Sequence, residues 1–228
     1  MTARHPLDQP AWNALTSHQA AFAQGEGLAR RFAPQYGPLT GVADGSAESL
    51  AALAALTPGS DGLWVLAVDP VAAPPGRVVA ETAIGAQMVA DRPIEPHGDL
   101  DWTDLTDADA ADMLALATLT RPGPFATQTH QLGRFIGVKQ DGVLVAMAGE
   151  RMRLPGFTEV SGVCTHPDHR GRGYAAALTR VVAARIFARD ETPFLHAYAS
   201  HTATIALYET LGFAVRRRMT VTVLAKAG

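Results

Sequence analysis

The sequence is short of the residues on which several chemistries depend. It holds one cysteine, Cys164, which excludes an internal disulfide and any zinc site built on several thiolates. A single thiol fits a reducing cytoplasm. Only two lysines, Lys139 and Lys226, stand among 19 basic residues, and 22 acidic residues bring the net charge to -3. No basic surplus exists to drive binding to nucleic acid or to an anionic membrane. No apolar run approaches the ~18–20 residues of a membrane span, and the opening MTARHPLDQP lacks the apolar core of a signal peptide. The expectation is a protein of the cytoplasm with neither nucleic-acid nor membrane partners. What the chain does have is apolar mass: hydrophobic residues make up 47% and charged residues 18% of 228, the balance of a folded globular protein.

The charge is uneven. Residues 1–97 carry 5 arginines against 9 acids, and residues 98–228 carry 14 basic against 13 acidic residues. The stretch ADRPIEPHGD, with two prolines and a glycine, reads as a boundary. Two regions are therefore expected, residues 1–96 and residues 97–228. In the first, the pattern predicts helices over 11–24 and 47–56, the latter capped by Ser46, and strands at 63–68, 77–80 and 83–89. It holds no phosphate loop, metal cluster or catalytic constellation, and no sequence repeat links it to the second region. In the second, a helix near 107–119 follows a weak capping box at Thr106 and Asp109. Strands are expected at 133–139 and 143–150, joined by an Asp141-Gly142 turn, and at 158–165 after Pro155-Gly156. A helix from Tyr174 to about Arg189, a strand at 194–198, a helix at 202–211 and a strand at 214–224 complete the order. That order describes an α/β (α+β) fold, a mixed sheet flanked by helices.

The chemically informative stretch is Val163-Cys164-Thr165-His166-Pro167-Asp168-His169-Arg170-Gly171-Arg172-Gly173-Tyr174-Ala175. A strand enters a glycine-rich turn that opens directly into a helix. Such a turn aims unpaired N–H groups and the positive end of the helix dipole at one point. Gly171 and Gly173 let a phosphate approach the main chain, and Arg170 and Arg172 add charge and forked donors. A pyrophosphate suits this chemistry. Gly171-x-Gly173-x-x-Ala176 also meets the loose dinucleotide fingerprint, which would make the chain an oxidoreductase. That reading wants an acid ending the next strand, whereas Asp190 and Glu191 precede it.

Arg170-x-x-Gly173-x-Ala175, with Glu159–Pro167 upstream and Ala206-Leu207-Tyr208-Glu209-Thr210-Leu211-Gly212-Phe213 downstream, resembles the GNAT superfamily of N-acetyltransferases over about residues 100–228. The resemblance implies a mostly antiparallel mixed sheet and an enzyme that moves an acetyl group from acetyl-CoA to a primary amine by direct attack in a ternary complex. The amine would belong to a small molecule or a protein, and the enzyme would be a monomer or homodimer. Residues 1–96 would be an α/β extension shaping the acceptor pocket, or a degenerate GNAT-like half. The resemblance assigns the CoA pyrophosphate to Arg170, Gly171, Arg172, Gly173, Tyr174 and Ala175, and the pantetheine arm to the main chain of Val163, Cys164 and Thr165. The strands at 158–165 and 194–198 would splay to admit it. His201 stands where many relatives have an asparagine near the cofactor. A non-catalytic acyl-CoA-binding module is the reading of another class.

Tyr208 occupies the family position of the general acid, and a phenol of pKa ~10 can donate to a thiolate whose conjugate acid lies near ~8.5. Glu159 is the expected base, with Glu150 and His196 as further candidates. Cys164 on an apolar strand reads as a packing residue, not a nucleophile. The cluster His166-Pro167-Asp168-His169 lacks the ligands to complete a metal site, and none is expected. Arg216-Arg217-Arg218 reads as a charged edge or strand end.

Overall fold

The computed structural model describes residues 5–60, 62–95 and 100–227. Residues 96–99 of the expected boundary lie outside them. The short helix α1 (Pro10–Leu15) opens the fold, and the strands β1 (Ala23–Gln24), β2 (Ala29–Phe32) and β3 (Leu39–Val42) follow. Then come α2 (Ala47–Ala55), β4 (Leu63–Ala67), β5 (Arg77–Val89), β6 (Thr103–Leu105) and α3 (Ala110–Thr120). The rest is β7 (Phe135–Gln140), β8 (Val143–Leu154), β9 (Phe157–Thr165), α4 (Tyr174–Phe187), β10 (Thr192–Tyr198), α5 (Thr202–Thr210) and β11 (Ala214–Lys226). All eleven strands join one mixed sheet in the order β1-β2-β3-β4-β11-β5-β10-β9-β8-β7-β6.

The order contains a repeat that the sequence does not advertise. In each half, three antiparallel strands lead through a crossover helix to a fourth strand parallel to the third: β1-β2-β3-α2-β4 and β7-β8-β9-α4-β10. The two long strands β5 and β11 then exchange. Strand β5, from the first half, pairs with β10, while β11, from the second, pairs with β4, and the two pair with each other at the centre. Hydrogen bonding is continuous from the strands before residue 96 to those after it. The core crosses as well, because Leu7, Ala11 and Leu15 pack with Phe32 and Leu39 of their own half and with Met152, Leu154 and Phe194 of the other.

Two local expectations change. The helix expected over 11–24 stops at Leu15, because the Thr16 and Ser17 hydroxyls fold back onto the carbonyls of Trp12 and Asn13. The chain then continues through a 3-10 turn at Ala20–Phe22. The two runs at 77–80 and 83–89 form one strand of 13 residues. The arginine run lies before the first β4 pair, at Thr220, so there β11 pairs on one side only, with β5, as expected of a charged edge. The pairing shifts register between Val215 and Arg217, leaving Arg216 as the extra residue of a bulge that aims it at Gln87 and Asp8.

Candidate active site

Strands β9 and β10 pair in parallel only at Thr192–Phe157, Pro193–Thr158 and Phe194–Glu159, and then part. Beyond that point β10 stays with β5 as far as Tyr198, while β9 stays with β8. Strand β9 bends because its pairing with β8 changes register near Gly162, which has φ +64. A bulge there frees backbone groups that a regular ladder would engage. The wedge between the strands opens into two connected spaces.

The first is a cleft of about 380 Å³ over the loop before α4. Every residue that the motif assigns to the acyl donor lines it, from Val163, Cys164 and Thr165 to Arg170 through Ala175. His201 does not. It lines the second space and meets the Tyr198 ring edge-on at 5.4 Å. Gly171 and Gly173 adopt φ of +76 and +78, and a Cβ on either would meet nothing within 4 Å. Gly173 is the N-cap of α4 and supplies no side-chain cap, so the first-turn amides of this 14-residue helix have no side-chain acceptor there. An uncapped helix start, two arginines and open space above two glycines fit a pyrophosphate.

The matching position in the first half is closed to an anion. At the start of α2, Ser46 caps Ser49 through its hydroxyl, and Asp44 accepts from the Ser46 amide and the Ser49 hydroxyl at 2.9 and 2.6 Å. The helix end there already carries its own carboxylate.

The second space holds about 490 Å³ and shares Val163, Arg170 and Tyr208 with the first. Leu39, Trp64, Leu66 and Gly85, all from the first half, form part of its wall. At its base lies Glu159, fully buried at the crotch of the wedge. Its Oε2 and Oε1 accept from Arg151 Nε and Nη2, both at 2.8 Å, and Oε1 also accepts from His196 Nδ1 at 2.8 Å. Burial alone would raise this carboxyl; the charge and paired hydrogen bonds of Arg151, together with His196, outweigh burial and hold it at about 2. A carboxylate so held is a poor proton acceptor. Glu150, the other carboxylate considered, is tied to Arg189 at 3.0 Å and lines neither space.

The hydrogen bonds also fix the state of His196. Arg216, which can only donate, reaches Gln87 Oε1 at 2.7 Å, so the Gln87 amide nitrogen faces Leu7 O at 2.8 Å and His196 Nε2 at 3.0 Å. His196 Nε2 must therefore accept, and Nδ1 carries the proton given to Glu159. Arg216 is anchored in turn on Asp8 at 2.6 Å. One chain of polar contacts runs from Asp8 in the first half to Arg151 in the second. Nothing local to Gln87, Arg151 or Asp8 marks them as site neighbours: Gln87 and Asp8 meet His196 and Arg216 across 109 and 208 residues, and Arg151 meets Glu159 only across the turn of a bulged hairpin.

Tyr208 stands where the two spaces meet. Burial pushes its phenol up to about 12, with a smaller contribution from Cys164, so the group stays protonated. No other described residue bonds its hydroxyl. Burial likewise raises the Cys164 thiol to about 11, which suits packing and not attack. His166 accepts from the Asp168 amide at 3.3 Å and caps a single turn, while His169 faces the loop cleft. Among the described residues no group of His, Cys, Asp and Glu side chains gathers into a metal site, and no helix is long and apolar enough to cross a membrane.

The FR47-like protein family model matches residues 135–222. A solved structure from Novosphingobium aromaticivorans, described as an acetyltransferase of the GNAT family, shares 47% identity with a TM-score of 0.91, covering 99% of this chain and 100% of that one. A GCN5-related N-acetyltransferase from Kribbella flavida superposes with a TM-score of 0.63 at 18% identity, over 94% of this chain and 95% of that one. A GCN5-related N-acetyltransferase-like protein from Streptococcus suis gives 0.60 at 15% identity, over 96% and 94%. The last two speak for the fold alone. No curated protein matches the chain.

Proposed function

The chain belongs to the GNAT family of acetyltransferases, and from that premise we propose that it transfers the acetyl group of acetyl-CoA to the amine of a small acceptor held in the space between its two halves. One observation carries the reading. An uncapped helix start with two arginines opens, past Tyr208, into a chamber walled by both halves.

When bound, the thioester supplies an activated acetyl group. In this reading the amides of Gly171–Ala175, with Arg170 and Arg172, hold the pyrophosphate, and the main chain of Val163, Cys164 and Thr165 guides the arm into the wedge. Tyr208 faces the departing sulfur. With the phenol at about 12 and a thiol near ~8.5, full proton transfer in place costs on the order of 5 kcal/mol. Tyr208 therefore acts as a hydrogen-bond donor to the developing thiolate. Overall, the amine nitrogen gains the acetyl group and loses a proton, and the sulfur gains one. Glu159 does not take that proton in this scheme. It fixes Arg151 and His196 against the chamber floor.

The chamber's size favours a small-molecule acceptor over a folded protein's interior lysine, and a lone buried thiol suits the cytoplasm. Calorimetric titration with acetyl-CoA tests the reading, with Gly173→Asp as the control that removes the anion site. One molecule bound per chain, lost in the control, is the expected result; no binding by the native chain overturns it.

A further inference from the structure

The acceptor chamber contains more positive charge than its amine-handling role requires. Arg121 and Arg151 line it beside Arg170, which the proposed donor pyrophosphate engages, and the carboxylate on its floor is Glu159. Both Glu159 oxygens are occupied, Oε1 by Arg151 and His196 and Oε2 by Arg151 and the Met152 amide. Nothing remains on it for a substrate ammonium. Arg151 is committed only in part: Nε and Nη2 hold Glu159, and no described residue takes the N–H groups of Nη1. The Arg151 side chain is 11% exposed, so those donors are nearly dry. Arg121 is held at the chamber's rim by a left-handed turn, φ 51, that ends α3 against the Pro122–Pro124 loop. Trp64 and Leu66, from the first half, add apolar surface to the same chamber.

We propose that the acceptor is an amino acid with an apolar side chain, its carboxylate bound by Arg151 Nη1 and Arg121 and its side chain lying against Trp64 and Leu66. The proposal rests on the acetyl-transfer reading and supplies what that reading lacks, a source of neutral amine. A cationic chamber disfavours a second positive charge, so it lowers the amine's pKa and releases its proton before attack without a dedicated base. The carboxylate keeps the complex near electrical balance while the nitrogen becomes nucleophilic. A polyamine meets the opposite situation, Arg121 and the open face of Arg151 with no free carboxylate.

The test uses pairs that differ only in the carboxylate: leucine and isopentylamine, phenylalanine and phenethylamine, methionine and 3-(methylthio)propylamine. Thiol release from acetyl-CoA by the full-length protein gives kcat/KM for each. In at least one pair the amino acid should exceed its decarboxylated partner by tenfold or more. Equal or better turnover of the decarboxylated member in every pair overturns the proposal and leaves acetyl transfer standing. If no member turns over, the same pairs are titrated into protein saturated with CoA. Binding by the amino acid and not by the amine sustains the proposal; no binding, or binding by the amine alone, overturns it. Acetyl-CoA titration of the same preparation reports separately on the acetyl-transfer reading.

Discussion

Replacing Glu159 by glutamine removes one charge from a fully buried cluster, and the structure fixes both the size and the pH dependence of the cost. The folded carboxyl is held at about 2 against an ordinary 4.5. The difference corresponds to about 3 kcal/mol of stability at pH 7. Because the folded value is depressed, that contribution is complete above the ordinary value and is lost as pH falls toward about 2. Near pH 3 about 1 kcal/mol of it remains. An independent comparison agrees, since removing one partner of a buried ion pair costs ~3–5 kcal/mol. Glu159→Gln should therefore lower the urea midpoint by about 1–2 M at pH 7, and the gap from the native protein should shrink markedly by pH 3. A gap below ~0.3 M at pH 7, or one that does not change with pH, would refute the reasoning. Arg151→Met/Glu159→Leu, which replaces the whole pair by apolar groups, should recover most of the stability without activity.

Tyr208→Phe removes a hydroxyl with no described protein partner, so stability should change by less than ~0.5 kcal/mol, while kcat falls ~10²-fold or more and acetyl-CoA affinity holds; unchanged turnover would take Tyr208 out of the mechanism. Gly173→Asp puts a carboxylate on the uncapped start of α4, and calorimetry should show acetyl-CoA affinity down at least ~10²-fold; unaltered binding would move the pyrophosphate elsewhere. Gln19, 2% exposed, bridges the Leu132 and Arg151 carbonyls and the Arg153 amide across an irregularity in β8. Gln19→Ala should cost about 2–3 kcal/mol by denaturant melt, and a neutral outcome would mean that water replaces it. A fragment starting at residue 97 lacks β5, which exposes the flanks of β10 and β11, and it should aggregate in light scattering where the full chain does not. A soluble, monomeric fragment would refute that dependence.

The second half was largely legible in the sequence because its signals are local. An Asp-Gly turn, a proline-glycine turn and a glycine-arginine loop opening a helix each specify their own geometry within a few residues. The loop cleft follows from them almost residue by residue. Strands β2 and β3 went unread because four residues such as Ala29–Phe32 are too few to establish a period. The contacts of Glu159 were not legible for another reason. A carboxylate at a strand start looks like a base until Arg151, eight residues away across a bulged hairpin, and His196, 37 residues away across the wedge, consume its lone pairs. Pairwise chemistry at that separation leaves no local trace.

The exchanged strands explain why the first half looked chemically silent. Its contribution is delivered through backbone placement and apolar side chains, and neither makes a motif. Strand β5 sets Gln87 opposite His196 in the ladder, where it holds the imidazole in one tautomer. The bulge in β11 turns Arg216 back to hold Gln87, and Asp8 anchors that arginine. Trp64 and Leu66 reach the chamber because β11 brings β4 beside the centre of the sheet. In the proposed reading the donor cleft is lined by the second half alone, whereas the acceptor chamber takes Leu39, Trp64, Leu66 and Gly85 from the first. On that reading, substitutions at Trp64, Leu66, Gly85 or Val221 should change acceptor preference while the donor loop stays intact.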